Sequence, residues 1–170
     1  MTLVVLLGGA RSGKSTLAVA LAREQGGAVM FLATGEAGDE EMARRIESHR
    51  RERPPGWETL EAPIEVAGAL ASVSSTATVV LDCLSLWVAN LQQQGLDESE
   101  ILAAGSRAAA IAAERPGLTV TVSNEVGLGI VPPTPLGRAY RDLLGAVNKL
   151  WVDAADEAWL VVAGRRLRLD

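Results

Sequence analysis

One short segment near the beginning of the chain has the residue types and spacing of a phosphate-binding loop. Residues 8–15 read GGARSGKS and fit the pattern G-x-x-x-x-G-K-[ST], which is called a P-loop. Its glycines let backbone N–H groups curve around a phosphate. Lys14 is placed to reach the terminal phosphates of a nucleotide, and the hydroxyl of Ser15 is placed to coordinate Mg²⁺. The segment therefore predicts a nucleoside triphosphate site.

A P-loop needs a second carboxylate on the metal side, and Asp82 is the best candidate. It follows the apolar run TVVL, so we expect it at the end of a buried strand, where it can share Mg²⁺ with Ser15. Alternatively, Asp82 caps a helix that begins at Leu84, and one carboxylate can serve both roles. The neighbouring Cys83 is expected to be a small core residue rather than a reactive thiol.

The single histidine, His49, lies among five arginines in the segment RRIESHRRERPPGW, residues 44–57. Arginines beside an imidazole favour its neutral, nucleophilic form, and they also attract phosphate. A neutral imidazole in such surroundings can attack phosphorus and hold a phosphoryl or nucleotidyl group covalently. The alternative is a half-buried structural histidine whose neighbouring arginines form a solvated helix face.

The elements that must position these residues follow from the hydrophobic pattern. Short apolar runs rich in β-branched residues predict strands, and apolar residues at helical spacing predict helices. Predicted strands cover residues 2–7, 28–34, 77–82, 118–123 and 157–162, with a turn at 163–164 before an antiparallel edge strand at 165–170. Predicted helices are Lys14–Glu24, Asp39–Arg53, Ile64–Val73, Leu84–Gln94, Glu98–Glu114 and Leu136–Ala155.

Strands that alternate with helices predict a mainly parallel α/β sheet between two helical layers. Together with the P-loop, this pattern indicates a three-layer, RecA-like P-loop NTPase fold, which we expect to form one domain over residues 1–170. The glycine- and proline-rich segment at 124–135 is a long loop, and loops of that length in a compact domain are usually functional or disordered.

Charge and composition narrow the possible partners. The net charge of −5 argues against a general nucleic-acid or membrane-surface binder, so the local basic cluster indicates a small anionic ligand. The one cysteine excludes an internal disulfide and is compatible with a reducing cytoplasm. No apolar run approaches the roughly 20 residues of a membrane-spanning helix. We therefore expect a cytoplasmic protein with no membrane span.

The chain resembles the bifunctional adenosylcobinamide kinase / adenosylcobinamide-phosphate guanylyltransferase family of cobalamin biosynthesis. The resemblance is carried by five segments in the family's order, and these span nearly the whole chain. They are GGARSGKS (8–15), EEMARRIESHRRERPPGWETLE (40–61), LDCLSLWVANL (81–91), SNEVGLGIVP (123–132) and ADEAWLVVAG (155–164). The histidine–arginine segment and SNEVGLGIVP are specific to the family, whereas the P-loop alone is not.

The resemblance implies two reactions and a set of ligands. The first reaction phosphorylates the aminopropanol hydroxyl of adenosylcobinamide with ATP or GTP. In the second, a histidine attacks the α-phosphorus of GTP, releases pyrophosphate and passes GMP to adenosylcobinamide phosphate. The product is adenosylcobinamide-GDP. That histidine must be His49, because the chain has no other. The resemblance further implies Mg²⁺ as cofactor and a homotrimer.

The resemblance also implies a set of site residues. The catalytic residues are His49 and Lys14, and Ser15 and Asp82 hold the metal. Nucleotide-binding residues are Gly8, Gly9, Ala10, Arg11, Ser12, Gly13, Lys14, Ser15, Ala33, Thr34, Gly35, Arg50, Arg51, Glu52, Arg53, Glu61 and Asp82.

Three of these assignments carry alternatives or remain open. Glu61 is suited to accept hydrogen bonds from guanine N1–H and N2–H₂, but it can instead cap the helix from Ile64. Arg11 is either a phosphate contact or a solvated loop charge. Asn124 and Glu125 begin the family's specific loop and are expected to face substrate, without an assigned role.

Two other functions compete with this interpretation. One is a small-molecule P-loop kinase alone, with His49 structural. The other is a RecA-like ATPase acting on a macromolecule, against which the small size, acidic charge and lack of a basic stripe all count.

Overall fold

A computed structural model describes residues 3–38, 40–51 and 53–169, and within these ranges every side chain except those of Met42, Arg45 and His49. The described residues form one seven-stranded sheet flanked by helices. Its strands are β1 (Leu3–Gly8), β2 (Val29–Ala33), β3 (Glu58–Glu61), β4 (Thr78–Asp82), β5 (Thr119–Asn124), β6 (Glu157–Val162) and β7 (Arg165–Leu169). Its helices are α1 (Lys14–Gln25), α2 (Glu40–Arg51), α3 (Val66–Ser72), α4 (Leu84–Gln93), α5 (Glu98–Glu114) and α6 (Pro135–Ala154).

The sheet is parallel except at one edge. The strand order is β3-β2-β4-β5-β1-β6-β7, and only the pairing of β6 with β7 is antiparallel. The predicted mainly parallel α/β sheet with a C-terminal antiparallel edge strand is therefore confirmed. Ala163 and Gly164 both have positive φ, 49° and 74°, as a two-residue hairpin turn of this kind requires.

Two apolar cores lie on opposite faces of the sheet and explain the three layers. One core packs β-strand side chains such as Leu32 and Leu81 against α3, α4, α5 and α6, and buries Trp87 and Trp151. The other core packs Val4, Val80 and Val122 of the sheet against α1. Strands covered on both faces read as nearly continuous apolar runs, which is why β1, β4 and β5 were recognisable from the sequence.

Parallel pairing brings the carboxyl ends of six strands, β1 to β6, to one edge of the sheet. The register aligns Gly8 with Asn124, and it aligns Ala33 with both Glu61 and Asp82. Ligands of open α/β sheets bind at the carboxyl ends of parallel strands. A functional site is therefore expected at this edge of the sheet.

The structure differs from the sequence prediction in one element and in several ends. Strand β3 was not predicted: it is a four-residue edge strand with sequence ETLE, mostly exposed, so no apolar run marks it. The third helix begins at Val66 rather than Ile64, and Glu65 is the residue directly before its first turn. Helix α2 ends at Arg51 rather than Arg53, and the predicted first residue Asp39 lies outside the described residues.

The long loop and the last helix agree with the prediction. The segment 125–134 between β5 and α6 has no regular secondary structure. Thr134 caps α6 by accepting a hydrogen bond from Gly137 N, and Pro135 occupies the first turn, where a proline is tolerated. In the described part of the chain, no helix is both long and apolar enough to cross a membrane.

Candidate active site

The P-loop runs from the end of β1 to the start of α1, and two of its glycines have no possible replacement. Gly8 has φ +155°, and a Cβ there would lie 2.3 Å from the carbonyl oxygen of Val161 in β6. Gly13 has φ +99° and lies against Gly164 in the β6–β7 turn. A further backbone hydrogen bond, Gly164 N to Ser12 O at 2.7 Å, braces the loop on that turn. Strand β6 and its turn thus hold the P-loop in shape.

Lys14 is a buried cation inside the P-loop. Its Nζ donates to the carbonyl oxygen of Gly9 at 2.7 Å and lies 3.4 Å from Ser12 Oγ. Burial lowers the pKa of the Lys14 ammonium, and the carboxylate of Asp82 partly opposes that shift. A buried ammonium held by backbone oxygen is poised to exchange that contact for a phosphate, which would restore its stabilisation.

The predicted pairing of Ser15 with Asp82 is present. Ser15 Oγ donates to Asp82 Oδ2 at 3.1 Å, although the two residues are 67 positions apart. Cys83, not Asp82, occupies the position before the first turn of α4 and makes no side-chain cap, so Asp82 is not the cap of that helix. The hydroxyl and the carboxylate therefore face each other across the P-loop.

A buried polar network ties the ends of β2 and β4 together. The hydroxyl of Thr34 accepts from Cys83 N at 2.8 Å and donates to Cys83 O at 2.7 Å. Asn90 of α4 donates from its amide to Thr34 O at 2.8 Å and to Pro63 O at 3.0 Å. Asn90 thereby joins the strand end that carries Thr34 to the segment that follows Glu61. Sequence reasoning missed it, although a lone amide in the apolar helix LSLWVANL was a usable signal.

A cleft of about 510 Å³ opens at this edge of the sheet, between the P-loop and α2. Its polar lining includes three cations and one carboxylate, a charge balance that suits a polyphosphate with a divalent metal. The lining residues are Ala10, Arg11, Lys14, Ser15, Phe31, Ala33, Gly35, Ile46, Ser48, Arg53, Asp82, Cys83, Leu86, Val122 and Asn124. Eight of these fifteen residues were named in the sequence analysis as nucleotide-binding residues. The other seven were not: Phe31, Ile46, Ser48, Cys83, Leu86, Val122 and Asn124.

Arg53 is the arginine after His49 that lines this cleft. Its guanidinium carbon lies 3.8 Å from the centroid of the Phe31 ring, and its Nη1 donates to Thr59 Oγ1 at 2.9 Å. Its Nε is buried and has no hydrogen-bond partner among the described residues. Such an atom, on the wall of an anion-sized cleft, has an unused donor for a ligand oxygen.

The other described arginines of α2 pair with acids. Arg44 bonds Glu40 and Arg51 bonds Glu47, each at 3.0 Å between exposed side chains one turn apart. Arg50 forms an ion pair with Glu61 at the end of β3. His49 lies in the last turn of α2, next to Ser48 in the cleft lining; its side chain, like all of Glu52, lies outside the description.

Glu61 lies in a second cavity of about 460 Å³ rather than in the main cleft. Gly35 and Ile46 line both spaces, so the second cavity adjoins the main cleft. Arg50 and Glu61 line only the second cavity. Glu61 bonds Arg50 and does not precede a helix directly, since α3 starts at Val66 with Glu65 before it. The interpretation of Glu61 as a helix cap is therefore not supported.

Comparison with known proteins places this site in a family. The family model described as cobinamide kinase / cobinamide phosphate guanyltransferase matches residues 4–169. The chain belongs to this family. The match covers every element from β1 to β7, including the P-loop, helix α2 and the loop after β5.

Characterised members of the cobinamide kinase / guanyltransferase family are similar over nearly their whole length. The bifunctional adenosylcobalamin biosynthesis protein CobP of Pseudomonas aeruginosa is 44% identical over 167 residues, covering 94% of this chain and 92% of that protein. The corresponding protein CobU of Escherichia coli is 37% identical, with 95% and 96% covered. CobU of Salmonella typhimurium is 35% identical, with the same coverage.

Solved structures of more distant proteins share only the fold. The RadB recombinase superposes with a TM-score of 0.53 at 18% identity, covering 94% of this chain and 73% of that one. An ATPase from a type III secretion system superposes with a TM-score of 0.51 at 10% identity. That superposition covers 94% of this chain but only 50% of the ATPase. These likenesses confirm the predicted RecA-like P-loop NTPase fold.

Proposed function

We propose that this protein catalyses both reactions named by its family. It phosphorylates the hydroxyl of adenosylcobinamide with ATP or GTP, and it transfers GMP from GTP to the resulting adenosylcobinamide phosphate. The observation that carries the proposal is a single cleft whose walls come from the P-loop, the end of β4 and helix α2, the helix that contains His49. A family match over residues 4–169 supports the same conclusion.

The kinase step uses the P-loop side of the cleft. Lys14, freed from the carbonyl of Gly9, binds the β- and γ-phosphates and stabilises the charge that develops during transfer. The acceptor hydroxyl attacks the γ-phosphorus, the bond to the β-phosphate oxygen breaks, and the nucleoside diphosphate leaves. Positioning and electrostatic stabilisation supply most of the catalysis in such a step.

The guanylyl transfer uses the α2 side. A neutral ring nitrogen of His49 attacks the α-phosphorus of GTP, forming a P–N bond as the bond to pyrophosphate breaks. An oxygen of adenosylcobinamide phosphate then attacks the same phosphorus and releases the imidazole. Arg53 stacks on the ring of Phe31, and its guanidinium stabilises the negative charge on the α-phosphate. Glu61, in the second cavity, gives up its ion pair with Arg50 and accepts hydrogen bonds from the guanine base instead.

The donor set around Ser15 fits Mg²⁺. A hydroxyl and a carboxylate 3.1 Å apart are hard oxygen ligands, and Mg²⁺ is typically held by one or two such groups together with substrate phosphates. Ser15 and Asp82 would hold the ion, which would neutralise phosphate charge. Among the described residues no cluster of three or more His, Cys, Asp or Glu side chains forms another metal site.

The family resemblance also supports a homotrimer working in the cytoplasm. Sedimentation of the purified protein tests the first, and fractionation of cells tests the second. The acidic charge supports a small-molecule substrate over a nucleic acid.

Radiolabelled GTP tests the proposal directly. Incubation with α-labelled GTP should leave label on the protein that is lost in acid and stable in base, and γ-labelled GTP should leave none. His49→Ala should abolish labelling while the variant still phosphorylates adenosylcobinamide. Arg44→Ala, on the same helix but exposed and outside both cavities, is the matched control and should label normally.

Two outcomes would refute parts of the proposal. If His49→Ala retains label, His49 is not the nucleophile. If the wild type phosphorylates adenosylcobinamide but never retains label from GTP, the protein is a kinase alone and His49 is structural.

A further inference from the structure

The loop between β5 and α6 is anchored near the carboxyl-end edge of the sheet by two hydrogen bonds, one at its start and one from the helix that follows it. At its start, Glu125 N donates to the carbonyl oxygen of Gly8 at 3.0 Å, which joins it to the P-loop. Beyond its end, the hydroxyl of Tyr140 donates to Ser85 O at 2.9 Å, next to the β4 end that carries Asp82. The loop therefore starts directly beside the P-loop and Asn124, which lines the cleft, and the helix after it is tied to the segment that follows Asp82.

The same loop is braced from within. Arg138 Nη1 donates to the carbonyl oxygens of Pro132 and Pro133 at 3.1 and 3.0 Å. Gly137 packs so closely on Pro132 that a Cβ at position 137 would lie 2.9 Å from it. Glu125 accepts a hydrogen bond from Gly127 N at the other end of the loop. These contacts brace the backbone of the loop near both of its ends.

The large exposed side chains of this loop are apolar. Among the described residues six large apolar side chains are exposed, and four of them lie in this region: Leu128 (82% exposed), Ile130 (97%), Val131 (59%) and Leu136 (72%). We call these four residues the rim patch. Residues 126–137 contain no charged side chain. Contiguous exposed apolar residues on a folded protein mark a binding surface.

The cleft at the carboxyl ends of the strands is too small for both substrates. Its volume of about 510 Å³ suits a nucleotide, since small-molecule sites span roughly 300–1,000 Å³. Adenosylcobinamide is a broad corrinoid macrocycle with one adenosyl group attached, and it is far larger than a nucleotide. Only its phosphorylatable arm needs to enter the cleft, so the ring must rest on a surface that borders it.

We propose that the rim patch is the corrinoid-binding surface, an inference that rests on the proposed function. The macrocycle lies against Leu128 and Ile130, and its uncharged amide side chains meet an uncharged stretch of protein. The aminopropanol arm then extends past Asn124, which lines the cleft, toward Lys14. The other candidate occupant is a second copy of this chain. The corrinoid is favoured because the loop's anchors, Gly8 and Ser85, adjoin the residues proposed to act on it.

Serine substitutions in the rim patch test this assignment. The variants are Leu128→Ser, Ile130→Ser and the double variant, and Leu167→Ser on β7 is the matched control because it is also exposed, at 64%. Equilibrium dialysis with adenosylcobinamide, in the presence of a non-hydrolysable GTP analogue, measures corrinoid binding without any reaction. The dissociation constant should rise about tenfold or more in the double variant, the loss expected for two leucine-sized apolar contacts. It should not change in Leu167→Ser.

Two further readouts separate the possible outcomes. Labelling by α-labelled GTP and sedimentation should match the wild type in every variant. Unchanged corrinoid binding in the double variant overturns the inference, and so does a shift to a smaller assembly, because the patch would then be a subunit contact. If the wild type binds adenosylcobinamide through this patch but transfers neither phosphate nor GMP, the proposed function fails while the binding surface stands.

Discussion

Ser15 and Asp82 are joined by a 3.1 Å hydrogen bond, although the strands that precede or carry them, β1 and β4, are separated in the sheet by β5. Ser15 begins α1 directly after β1, and Asp82 ends β4, with β5 between these two strands. The contact exists because parallel pairing of β1, β5 and β4 brings all three carboxyl ends to one edge. It supplies the paired hydroxyl and carboxylate that a nucleotide-bound Mg²⁺ requires.

Removing either partner of this contact should weaken magnesium-dependent activity. We expect Ser15→Ala and Asp82→Asn each to lower activity roughly 10- to 100-fold at limiting Mg²⁺, a loss typical of a perturbed metal site. Ser15→Thr keeps the hydroxyl and should stay near the wild type. Rates of phosphorylation measured over a Mg²⁺ titration check this. Equal Mg²⁺ dependence in Ser15→Ala and the wild type would contradict the assignment.

Loss of the Phe31 ring should weaken GTP binding through Arg53. The guanidinium lies 3.8 Å from the ring centroid, and such cation–π contacts contribute roughly 0.5–2 kcal/mol. We expect Phe31→Leu to raise the KM for GTP several-fold and Phe31→Tyr to leave it unchanged.

A double-mutant cycle separates this effect from general damage to β2. In the Arg53→Ala background, Phe31→Leu should change the KM for GTP little, because the stacked partner is already gone. If the two substitutions have additive effects on KM, Phe31 does not act through Arg53.

The two buried asparagines should differ in their contribution to stability. Asn90→Leu leaves the carbonyl oxygens of Thr34 and Pro63 without their donor, and we expect a loss of roughly 2–4 kcal/mol, since each unpaired buried group costs about 1–3 kcal/mol. Asn148→Leu removes only one bond, to Asn124 O, and also removes an acceptor atom that has no partner among the described residues. It should cost less. Urea unfolding of both variants measures the two losses in the free energy of unfolding. A larger loss in Asn148→Leu than in Asn90→Leu would contradict the prediction.

Tyr140 should make stability fall in alkaline solution. Burial, aided by the charge of Cys83, raises the pKa of its phenol from 10.0 to about 12. Between those values the folded protein keeps a proton that the unfolded chain loses, so the free energy of unfolding decreases as pH rises. Tyr140→Phe removes that dependence and also the bond to Ser85 O, which is worth about 1 kcal/mol at neutral pH.

The measurement is the difference between the two proteins. Unfolding free energies of the wild type and Tyr140→Phe should converge from pH 9 to pH 11, because only the wild type loses the tyrosine contribution. A constant difference across that range would show that the phenol titrates normally.

Strand β3 shows where sequence reasoning lost part of the site. Its four residues, ETLE, are largely exposed at the sheet edge, and edge strands stay short and charged because burial does not select their side chains. Without β3, nothing placed Glu61 beside Arg50 or Thr59 beside Arg53. Phe31 escaped notice for the opposite reason, since an aromatic residue in an apolar strand is indistinguishable from ordinary core.

The sequence by itself determined the P-loop, the alternation of strands and helices, the hairpin at residues 163–164 and the family. These depend on residues close together in the chain, where spacing and backbone conformation carry the information. Only the tertiary structure decided that Arg53 alone of the described α2-side arginines enters the cleft, and that Glu61 occupies a second cavity beside Arg50. Those contacts depend on strand order and register, which arise from packing across the whole sheet and leave no local pattern.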